Sequence, residues 1–303
     1  MLRSAVLFNG VDACCPTGPF TGFLKSVRLR VVYYALQLWF LELLMDLHLT
    51  DKIALISGGS RGIGRATALR FAEEGCKVGI CARGQEGLDQ AVGVLLGYDV
   101  EAFGLVVDVL QPGEIERFVN TAAKALGGVD ILVNNVGGSV GSREFMDSSD
   151  TDWQQTFDLN LFHAVRATRA AAVHMQQRGG GSVVNISSIS GWKPSNQNAQ
   201  YGAAKAAEMF LAGALAWELA QHPVRVNTVC PGSVYFEDGA WDRFSKENPE
   251  QYEIFRTREF PAERLGTDFE VADVVVFLSS DRAQWVNGAS IPVDGSQGRP
   301  NAF

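Results

Sequence analysis

The sequence predicts a single doubly wound α/β domain, in which a parallel sheet lies between two layers of helices. From Ile53 onward, short β-rich runs alternate with helical patterns, which is the signature of a parallel sheet with crossover helices. A glycine-rich turn, residues 57–64, directly follows the first of these runs. No internal repeat or low-complexity linker divides the chain. We therefore assign residues 45–303 to one Rossmann-type domain with three layers, α/β/α.

Each element is predicted from its own pattern. Apolar runs bounded by turn residues predict strands at Ile53–Ser57, Lys77–Cys81, Phe103–Val107, Asp130–Val133, Ser182–Ile186, Val224–Val229 and Ala289–Val293. Helical patterns cover about 62–74, 112–127, 151–178 and 269–279, and the helix that carries Tyr201 and Lys205 runs to about Gln221. Gly75 ends the first helix, and Pro112 with the acidic residues after it opens the second.

One stretch, residues 233–263, breaks the alternation and mixes aromatic with charged residues. It lies past the carboxyl end of the sixth strand, at the edge where open α/β sheets bind ligands. We predict that it covers the substrate. The alternative is that its aromatic side chains simply pack between two surface helices.

Composition and charge exclude some classes of protein. The 303 residues are 47% hydrophobic and carry a net charge of −8, which gives no electrostatic support to nucleic-acid binding. The five cysteines form no C-x-x-C pair, and no Cys/His ligand set is present. We therefore expect a reduced, cytoplasmic protein without a structural metal.

Residues 1–44 differ from the rest of the chain. They contain four basic and two acidic residues. An apolar run, Val31 to Met45, is interrupted by Gln37 and Glu42. This run is shorter than the roughly 18 apolar residues of a spanning helix. Two interpretations stay open. The segment is a helix lying on a membrane surface, or it is absent from the native protein, because the run from Met45 leads straight into the first strand.

The glycine-rich turn predicts a phosphate-binding site. Gly58, Gly62 and Gly64 remove side chains, so that the backbone can bend sharply and approach a pyrophosphate at the start of the next helix. Their spacing, G-x-x-x-G-x-G, differs from the common dinucleotide-binding fingerprint. A tight turn without a ligand is the alternative interpretation.

The end of the second strand predicts which nucleotide binds. An acid there would hold the adenosine ribose of NAD, whereas an arginine accommodates the extra phosphate of NADP. The chain has Ala82 and Arg83 at this point, and Arg61 in the glycine turn adds a second cation. We therefore predict NADP(H) in preference to NAD(H). The alternative is that both arginines are solvated surface charges.

Tyr201 and Lys205 stand four residues apart, thirteen residues after Ser188. A tyrosine normally holds its proton with a pKa near 10, and a lysine on the same helical face favours the phenolate. Ser188, at the end of a strand, is placed to polarise a carbonyl group. Neighbouring strand residues face opposite sides, so only one of Ser187 and Ser188 should reach the cleft.

Further polar residues follow successive strands: Asp108 after the third, and Asn134, Asn135 and Gly137 at the end of the fourth. Asn160 lies in the long helical pattern. Each could be a helix cap or a turn residue by itself. Together they would line one cofactor-binding edge of the sheet.

These motifs, in this order from about Met45 to the C-terminus, resemble the short-chain dehydrogenase/reductase family, and most closely its 3-oxoacyl-carrier-protein-reductase-like members. The resemblance implies a catalytic tetrad of Asn160, Ser188, Tyr201 and Lys205, with Tyr201 as acid/base, Ser188 positioning the carbonyl, Lys205 holding the nicotinamide ribose and Asn160 supporting a water relay. The cofactor residues that we assign are Gly58, Ser60, Arg61, Gly62, Ile63, Gly64, Arg83, Asp108, Val109, Asn135, Gly137, Tyr201, Lys205, Pro231 and Gly232. The resemblance to this family further implies the strand order 3-2-1-4-5-6-7 and an assembly of two or four identical subunits, a homodimer or homotetramer.

We therefore predict an NADPH-dependent carbonyl reductase, or an alcohol dehydrogenase in the reverse direction, which acts on a small molecule. The alternatives are an NAD(P)-dependent dehydrogenase of secondary alcohols or diols, and a non-catalytic NADP-binding protein of the same fold. Candidates for the substrate pocket are Ser139, Val140, Trp192 and the aromatic segment 235–255. A membrane contact is expected only if residues 1–44 are native.

Overall fold

A computed structural model of the chain describes residues 45–299. The N-terminal extension, residues 1–44, and both of its interpretations lie outside the described residues. No helix within residues 45–299 is long and apolar enough to span a bilayer.

The described residues form alternating strands and helices. The strands are β1 (Ile53–Ser57), β2 (Lys77–Ala82), β3 (Ala102–Val106), β4 (Ile131–Asn134), β5 (Gly181–Ile186), β6 (Val224–Pro231), β7 (Val234–Tyr235), β8 (Gly266–Thr267) and β9 (Ser290–Val293). The α-helices are α1 (Gly62–Glu73), α2 (Gln85–Leu96), α3 (Glu114–Leu126), α4 (Asp150–Phe157), α5 (His163–Gln177), α6 (Ala199–Glu218), α7 (Ala240–Glu247), α8 (Pro249–Glu259) and α9 (Asp268–Ser279).

The main sheet has seven parallel strands in the order β3-β2-β1-β4-β5-β6-β9. This confirms the predicted order, with β9 as the seventh strand. The chain runs outward from β1 in one direction through β2 and β3, and in the other direction from β4 onward. Ligands bind in such sheets at the carboxyl ends of the strands where the direction reverses, which here are β1 and β4.

Alternating side chains of β1 supply a separate core on each face of the sheet, as the strand geometry requires. Ile56 packs on one face within a cluster that includes Phe71 of α1 and Val275 of α9. Leu55 packs on the other face with Phe118 of α3 and with residues of α5. The three-layer α/β/α architecture predicted from the sequence is therefore confirmed.

The long helical segment predicted at 151–178 is present, but it is not a regular α-helix throughout. The structure divides it into α4, a π turn at Asp158–Phe162, and α5. A π turn inserts an extra residue into the helical repeat and is frequent at functional sites. Apolar periodicity over a long window does not reveal one inserted residue. The turn carries Asn160, so its position depends on this interruption.

Candidate active site

The glycine-rich turn connects β1 to α1 and is shaped by close backbone contacts. Gly58 and Gly62 have φ angles of +72° and +52°, in the left-handed region that glycine tolerates best. A Cβ atom on Gly64 would collide with the carbonyl oxygen of Gly58. The turn is therefore possible only where these side chains are missing.

The N-terminus of α1 has no side-chain cap and no acidic residue in its first turn. Its first backbone N–H groups, together with the positive end of the helix dipole, are suited to an anion. Asn135 braces the turn, since its Nδ2 donates to the carbonyl oxygens of Ser57 at 2.9 Å and Gly58 at 3.1 Å. The Oγ of Ser57 accepts the N–H of Asn135 at 3.0 Å in return. The turn therefore has a braced backbone that is suited to an anion, and side chains larger than those of its glycines would fill the space available to that anion.

A cavity of about 710 Å³ extends from this turn along the carboxyl ends of β1, β2 and β4. Its lining contains Gly58, Ser60, Arg61, Gly62, Ile63, Arg83, Asp108, Val109, Asn135, Gly137, Ser139 and Val140. Ten of these are residues predicted to bind the cofactor, and Ser139 and Val140 were predicted for the substrate pocket. Gly64 lies behind the turn, against Gly58, and Trp192 is not among the described residues that line the cavity. The size and the polar rim fit a nucleotide.

Arg61, at the N-terminus of α1, and Arg83, directly after β2, are exposed and line this cavity. Within residues 45–299, neither guanidinium forms a hydrogen bond or an ion pair. Unpaired guanidinium groups that line a cavity are suited to a phosphate. The carboxylate of Asp108 also lines the cavity, and its Oδ1 accepts the N–H of Leu110 at 3.1 Å in a local turn.

A smaller cavity of about 190 Å³ adjoins the first, with Ile63, Asn135 and Gly137 common to both linings. Its other lining residues are Ile186, Ser187, Ser188, Tyr201, Lys205, Pro231, Gly232 and Val234. The chain therefore brings Ser188, Tyr201 and Lys205 together from β5 and α6, next to the nucleotide-sized space.

The two neighbouring serines differ in their surroundings. Ser187 is buried, and its Oγ donates to the backbone carbonyl of Lys205 at 2.8 Å. Ser188 is half-buried, and its Oγ accepts the N–H of Ser190 at 3.1 Å at the start of a short 3₁₀ turn. The hydroxyl hydrogen of Ser188 is therefore not used by that contact. This arrangement leaves the Ser188 hydroxyl able to donate to a ligand.

Lys205 is almost completely buried, at 1% exposure, although it carries a charge. Its Nζ donates to the carbonyl oxygen of Ile186 at 2.8 Å and lies 2.7 Å from Oε2 of Glu208. Nζ also lies 5.8 Å from the centre of the Tyr201 ring. Burial opposes the charge, but Glu208 and Tyr201 outweigh it and raise the pKa of Lys205 above its ordinary value. The lysine is therefore an ammonium group held behind the tyrosine.

Asn160 is fully buried behind the cavities rather than lining them. Its Nδ2 donates to the carbonyl oxygens of Gly138 at 2.7 Å and Thr156 at 2.6 Å. A Cβ atom on Gly137 would lie 2.9 Å from both Oδ1 of Asn160 and Nζ of Lys205. Gly137 therefore allows the loop after β4 to approach the two side chains.

The aromatic residues of the segment 233–263 mostly contact one another. Trp241 stacks on Phe255 with ring centres 4.3 Å apart, and Phe244 meets the Trp241 ring edge-on at 5.7 Å. Phe255 in turn contacts Phe260 at 5.9 Å. This packing is the alternative that the sequence left open for these side chains. It makes the pair α7 and α8 a small hydrophobic unit of its own.

Phe236 is the exception among these aromatic residues, since it lines the larger cavity. A Cβ atom on Gly62 would lie 2.9 Å from the Phe236 ring, so the ring covers the N-terminus of α1. The sequence named 235–255 as pocket candidates but did not connect Phe236 with the glycine turn. No local pattern could do so, because 174 residues separate Gly62 from Phe236.

Sequence reasoning missed Glu208. Its side chain is fully buried and forms an ion pair with the ammonium of Lys205, but neither carboxylate oxygen accepts a hydrogen bond among the described residues. Burial raises the pKa of this carboxyl to about 7, with Lys205 opposing the rise. The i, i+3 spacing from Lys205 was visible in the sequence and could have signalled a pair. Its complete burial could not be read from that spacing.

Comparison with known proteins places the chain in a family. A family model described as short chain dehydrogenase matches residues 52–247. The human protein named Dehydrogenase/reductase SDR family member 4 is 36% identical over 248 residues, which cover 82% of this chain and 87% of that protein. The chain therefore belongs to the short-chain dehydrogenase/reductase family, and it is an NAD(P)-dependent oxidoreductase.

Solved structures agree with this assignment. L-sorbose reductase from Gluconobacter frateurii, complexed with NADPH and L-sorbose, has a TM-score of 0.80 and 31% identity, covering 85% of this chain and 100% of that one. A 7α-hydroxysteroid dehydrogenase complexed with NADH and 7-oxo-glycochenodeoxycholic acid has a TM-score of 0.76 and 30% identity, covering 82% and 95%. One protein holds NADPH and the other NADH, so this likeness does not choose between the two cofactors.

Proposed function

We propose that this protein is an NADPH-dependent carbonyl reductase, which runs in reverse as an alcohol dehydrogenase. The proposal rests mainly on the observation that the two cavities adjoin and have lining residues in common. Tyr201, Ser188 and Lys205 line the smaller cavity, which adjoins the nucleotide-sized cavity at Gly137 and Ile63. An acid/base therefore stands next to the place where a nicotinamide nucleotide fits.

The nicotinamide cofactor supplies the hydride in reduction and takes it in oxidation. In reduction Tyr201 gives its phenolic proton to the oxygen of the substrate carbonyl, and in oxidation it takes that proton back. Ser188 donates a hydrogen bond to the same oxygen and orients it. The buried ammonium of Lys205 stabilises the phenolate by its charge and offers a donor to the nicotinamide ribose.

Asn160 has a supporting part in the proposal. It ties the loop after β4 to the π turn through Gly138 and Thr156. The same loop contributes Gly137 to both cavities. Asn160 therefore keeps this wall in position, and we propose that it supports a water relay to Lys205.

We propose NADP(H) over NAD(H) as the cofactor. The support is the two guanidinium groups of Arg61 and Arg83, which line the nucleotide-sized cavity and have no partner within residues 45–299. Charge-assisted bonds from arginine to phosphate are worth roughly twice a neutral hydrogen bond. The 2′-phosphate of NADP would have two such partners, whereas the ribose of NAD would meet no carboxylate at the end of β2.

The substrate that we propose is a small carbonyl compound or alcohol with an apolar body. Val140 and Leu159 add apolar surface to the larger cavity, and Phe236 closes it from the segment 233–263. We propose that this segment covers the substrate through Phe236 rather than through the packed aromatic rings of α7 and α8. The rest of the segment would act as the frame that carries Phe236.

We propose a homodimer or homotetramer in the cytoplasm. Phe210 and Trp217 lie on α6 with exposed fractions of 81% and 88%, and Trp285 is 99% exposed. Exposed aromatic residues of this size favour burial against a second copy. Among the described cysteines, Cys76, Cys81 and Cys230 are free and buried, as suits a reducing compartment. Light scattering of the full chain measures the number of subunits.

The test uses the variant Tyr201→Phe, which removes one hydroxyl. NADPH oxidation is followed across ketones, quinones, steroids and acyl thioesters, and NADPH binding is followed by its fluorescence. We expect turnover to fall by at least about 100-fold while NADPH still binds. Tyr98→Phe, at the end of α2, is the matched control and should retain full turnover. Undiminished turnover in Tyr201→Phe would contradict the proposal and favour a non-catalytic nucleotide-binding protein.

A further inference from the structure

A buried carboxylate forms an ion pair with Lys205 behind the predicted catalytic residues. Glu208 is fully buried one turn after Lys205 on α6, and its Oε2 lies 2.7 Å from the ammonium nitrogen. Burying a carboxylate without hydrogen bonds from neutral groups is costly. Glu208 is buried in spite of this cost in free energy, and it contacts the ammonium of Lys205, which lies next to Tyr201. We therefore look for a functional explanation.

The lysine ammonium has three N–H donors. One bonds to the carbonyl oxygen of Ile186 at 2.8 Å. The ammonium also forms an ion pair with Glu208, whose carboxylate oxygens accept no hydrogen bond within residues 45–299. On the cleft side, the Cβ position of Gly137 lies 2.9 Å from Nζ. Glu208 therefore limits the net charge that Lys205 presents to Tyr201.

Building on the proposed function, we propose that Glu208 is a positioning residue for proton transfer at Tyr201. Its carboxylate partly neutralises the Lys205 ammonium, so it sets how strongly that ammonium stabilises the phenolate. When Glu208 is ionised, the pair carries little net charge and the support for the phenolate is weak. When Glu208 is protonated, the full positive charge of Lys205 acts on Tyr201.

The other ionisable groups near the pair do not change charge near neutral pH. Cys230 on β6 faces both members, and burial raises the pKa of its thiol to about 12. His163 on α5 faces Lys205, and burial together with Lys205 lowers the pKa of its imidazole to about 3. Compared with Cys230 and His163, Glu208 is therefore the group that changes charge near neutral pH, since its pKa is about 7.

The influence of the Glu208 charge on the ionisation of Tyr201 depends on the distance between the two residues. Residues 201 and 208 are seven apart on one helix, which places them roughly 10 Å apart along its axis. A unit charge at about 10 Å, at an effective dielectric constant near 20, moves a titration by roughly one pH unit. The removal of the carboxylate should therefore move the ionisation of Tyr201 by about one unit toward lower pH.

The experiment measures the phenolate of Tyr201 directly, without cofactor or substrate. The ultraviolet absorbance of each protein is titrated with pH, and the same titration of its Tyr201→Phe partner is subtracted. We expect E208Q to shift the midpoint by about one pH unit toward acid and E208D to stay near the wild-type midpoint. The matched control is E218Q, on the exposed end of the same helix, which should leave the midpoint unchanged.

Unfolding of a variant would be detected by circular dichroism. If E208Q does not fold, E208M fills a similar volume without a charge and should show the same acid shift. The wild-type chain supplies a further measurement, since the infrared band of a buried protonated carboxyl group should disappear as the pH rises through about 7. The inference would be overturned if the carboxyl band were missing below about pH 7, or if folded E208Q kept the wild-type midpoint of the Tyr201 titration. If Tyr201→Phe loses turnover in that case, the proposed function stands and only the part given to Glu208 fails.

Discussion

The side-chain amide of Asn160 is hydrogen-bonded to both backbone groups of Gly138. Its Oδ1 accepts the N–H of Gly138 at 3.1 Å, and its Nδ2 donates to the carbonyl of Gly138 at 2.7 Å. This pairing imitates a strand contact and connects the loop after β4 to the π turn. The contact requires an amide, because the side chain must donate and accept at once.

Asn160→Asp should therefore weaken both the fold and the site. A carboxylate cannot donate to the carbonyl oxygens of Gly138 and Thr156, and it would bring a negative charge against them. We expect a loss of about 1–3 kcal/mol in the free energy of unfolding, together with lower turnover. Chemical denaturation measures the first and NADPH oxidation the second. The control is Asn248→Asp, which should change stability by less than about 0.5 kcal/mol because Asn248 forms no side-chain cap bond.

The two serines after β5 should separate catalysis from stability. Ser188→Ala removes the donor at the cleft and should lower kcat by about 100-fold or more, with little change in stability. Ser187→Ala removes the bond to the carbonyl of Lys205 and should cost about 1 kcal/mol of stability. Parallel unfolding curves and kinetics of both variants decide the assignment. It is wrong if Ser187→Ala alone abolishes turnover.

Arg83→Ala should weaken NADPH binding by about tenfold and leave NADH binding nearly unchanged, because only NADPH carries the additional phosphate. Arg61→Ala should have a similar effect. Fluorescence titration with each nucleotide measures both dissociation constants. Arg65→Ala removes an exposed arginine of α1 outside the cavity and should not change the ratio. A wild-type preference for NADH would contradict the proposed cofactor.

Asp242 holds the start of the segment 233–263 together. It accepts hydrogen bonds from the Tyr235 hydroxyl at 2.6 Å, the Asp238 N–H at 3.0 Å and the Lys246 ammonium at 2.8 Å. Lys246 first, and then Tyr235, lower the pKa of Asp242 from 3.8 to about 2. Because the folded-state pKa is the lower one, this stabilisation is complete above about pH 4 and is lost as the pH falls toward 2.

Asp242→Asn should therefore loosen α7 at neutral pH, much as acid does in the wild type. Hydrogen exchange of the peptide that contains residues 240–247 measures this, after correction for the intrinsic effect of pH. Asp238→Asn is the matched control, since only the backbone of Asp238 takes part in these bonds. Equal exchange in the two variants would show that the Asp242 carboxylate does not hold the segment.

The sequence alone determined the class of fold, the family and the enzyme class, and the resemblance to the family implied the strand order. It could do so because strand runs, the glycine turn and the order of Ser188, Tyr201 and Lys205 are local patterns, and each pattern reports its own backbone conformation or helical face. The same patterns predicted one continuous helix where the structure has a π turn around Asn160. One inserted residue changes the face of a helix without changing its average composition.

The tertiary structure decided which groups meet. It separated Ser187 from Ser188, brought Phe236 over Gly62, and packed Trp241 against Phe255 instead of into the cavity. It also buried Glu208 against Lys205. These outcomes depend on packing between segments far apart in the chain, and on the removal of a charge from water. Neither is recorded in the spacing of neighbouring residues.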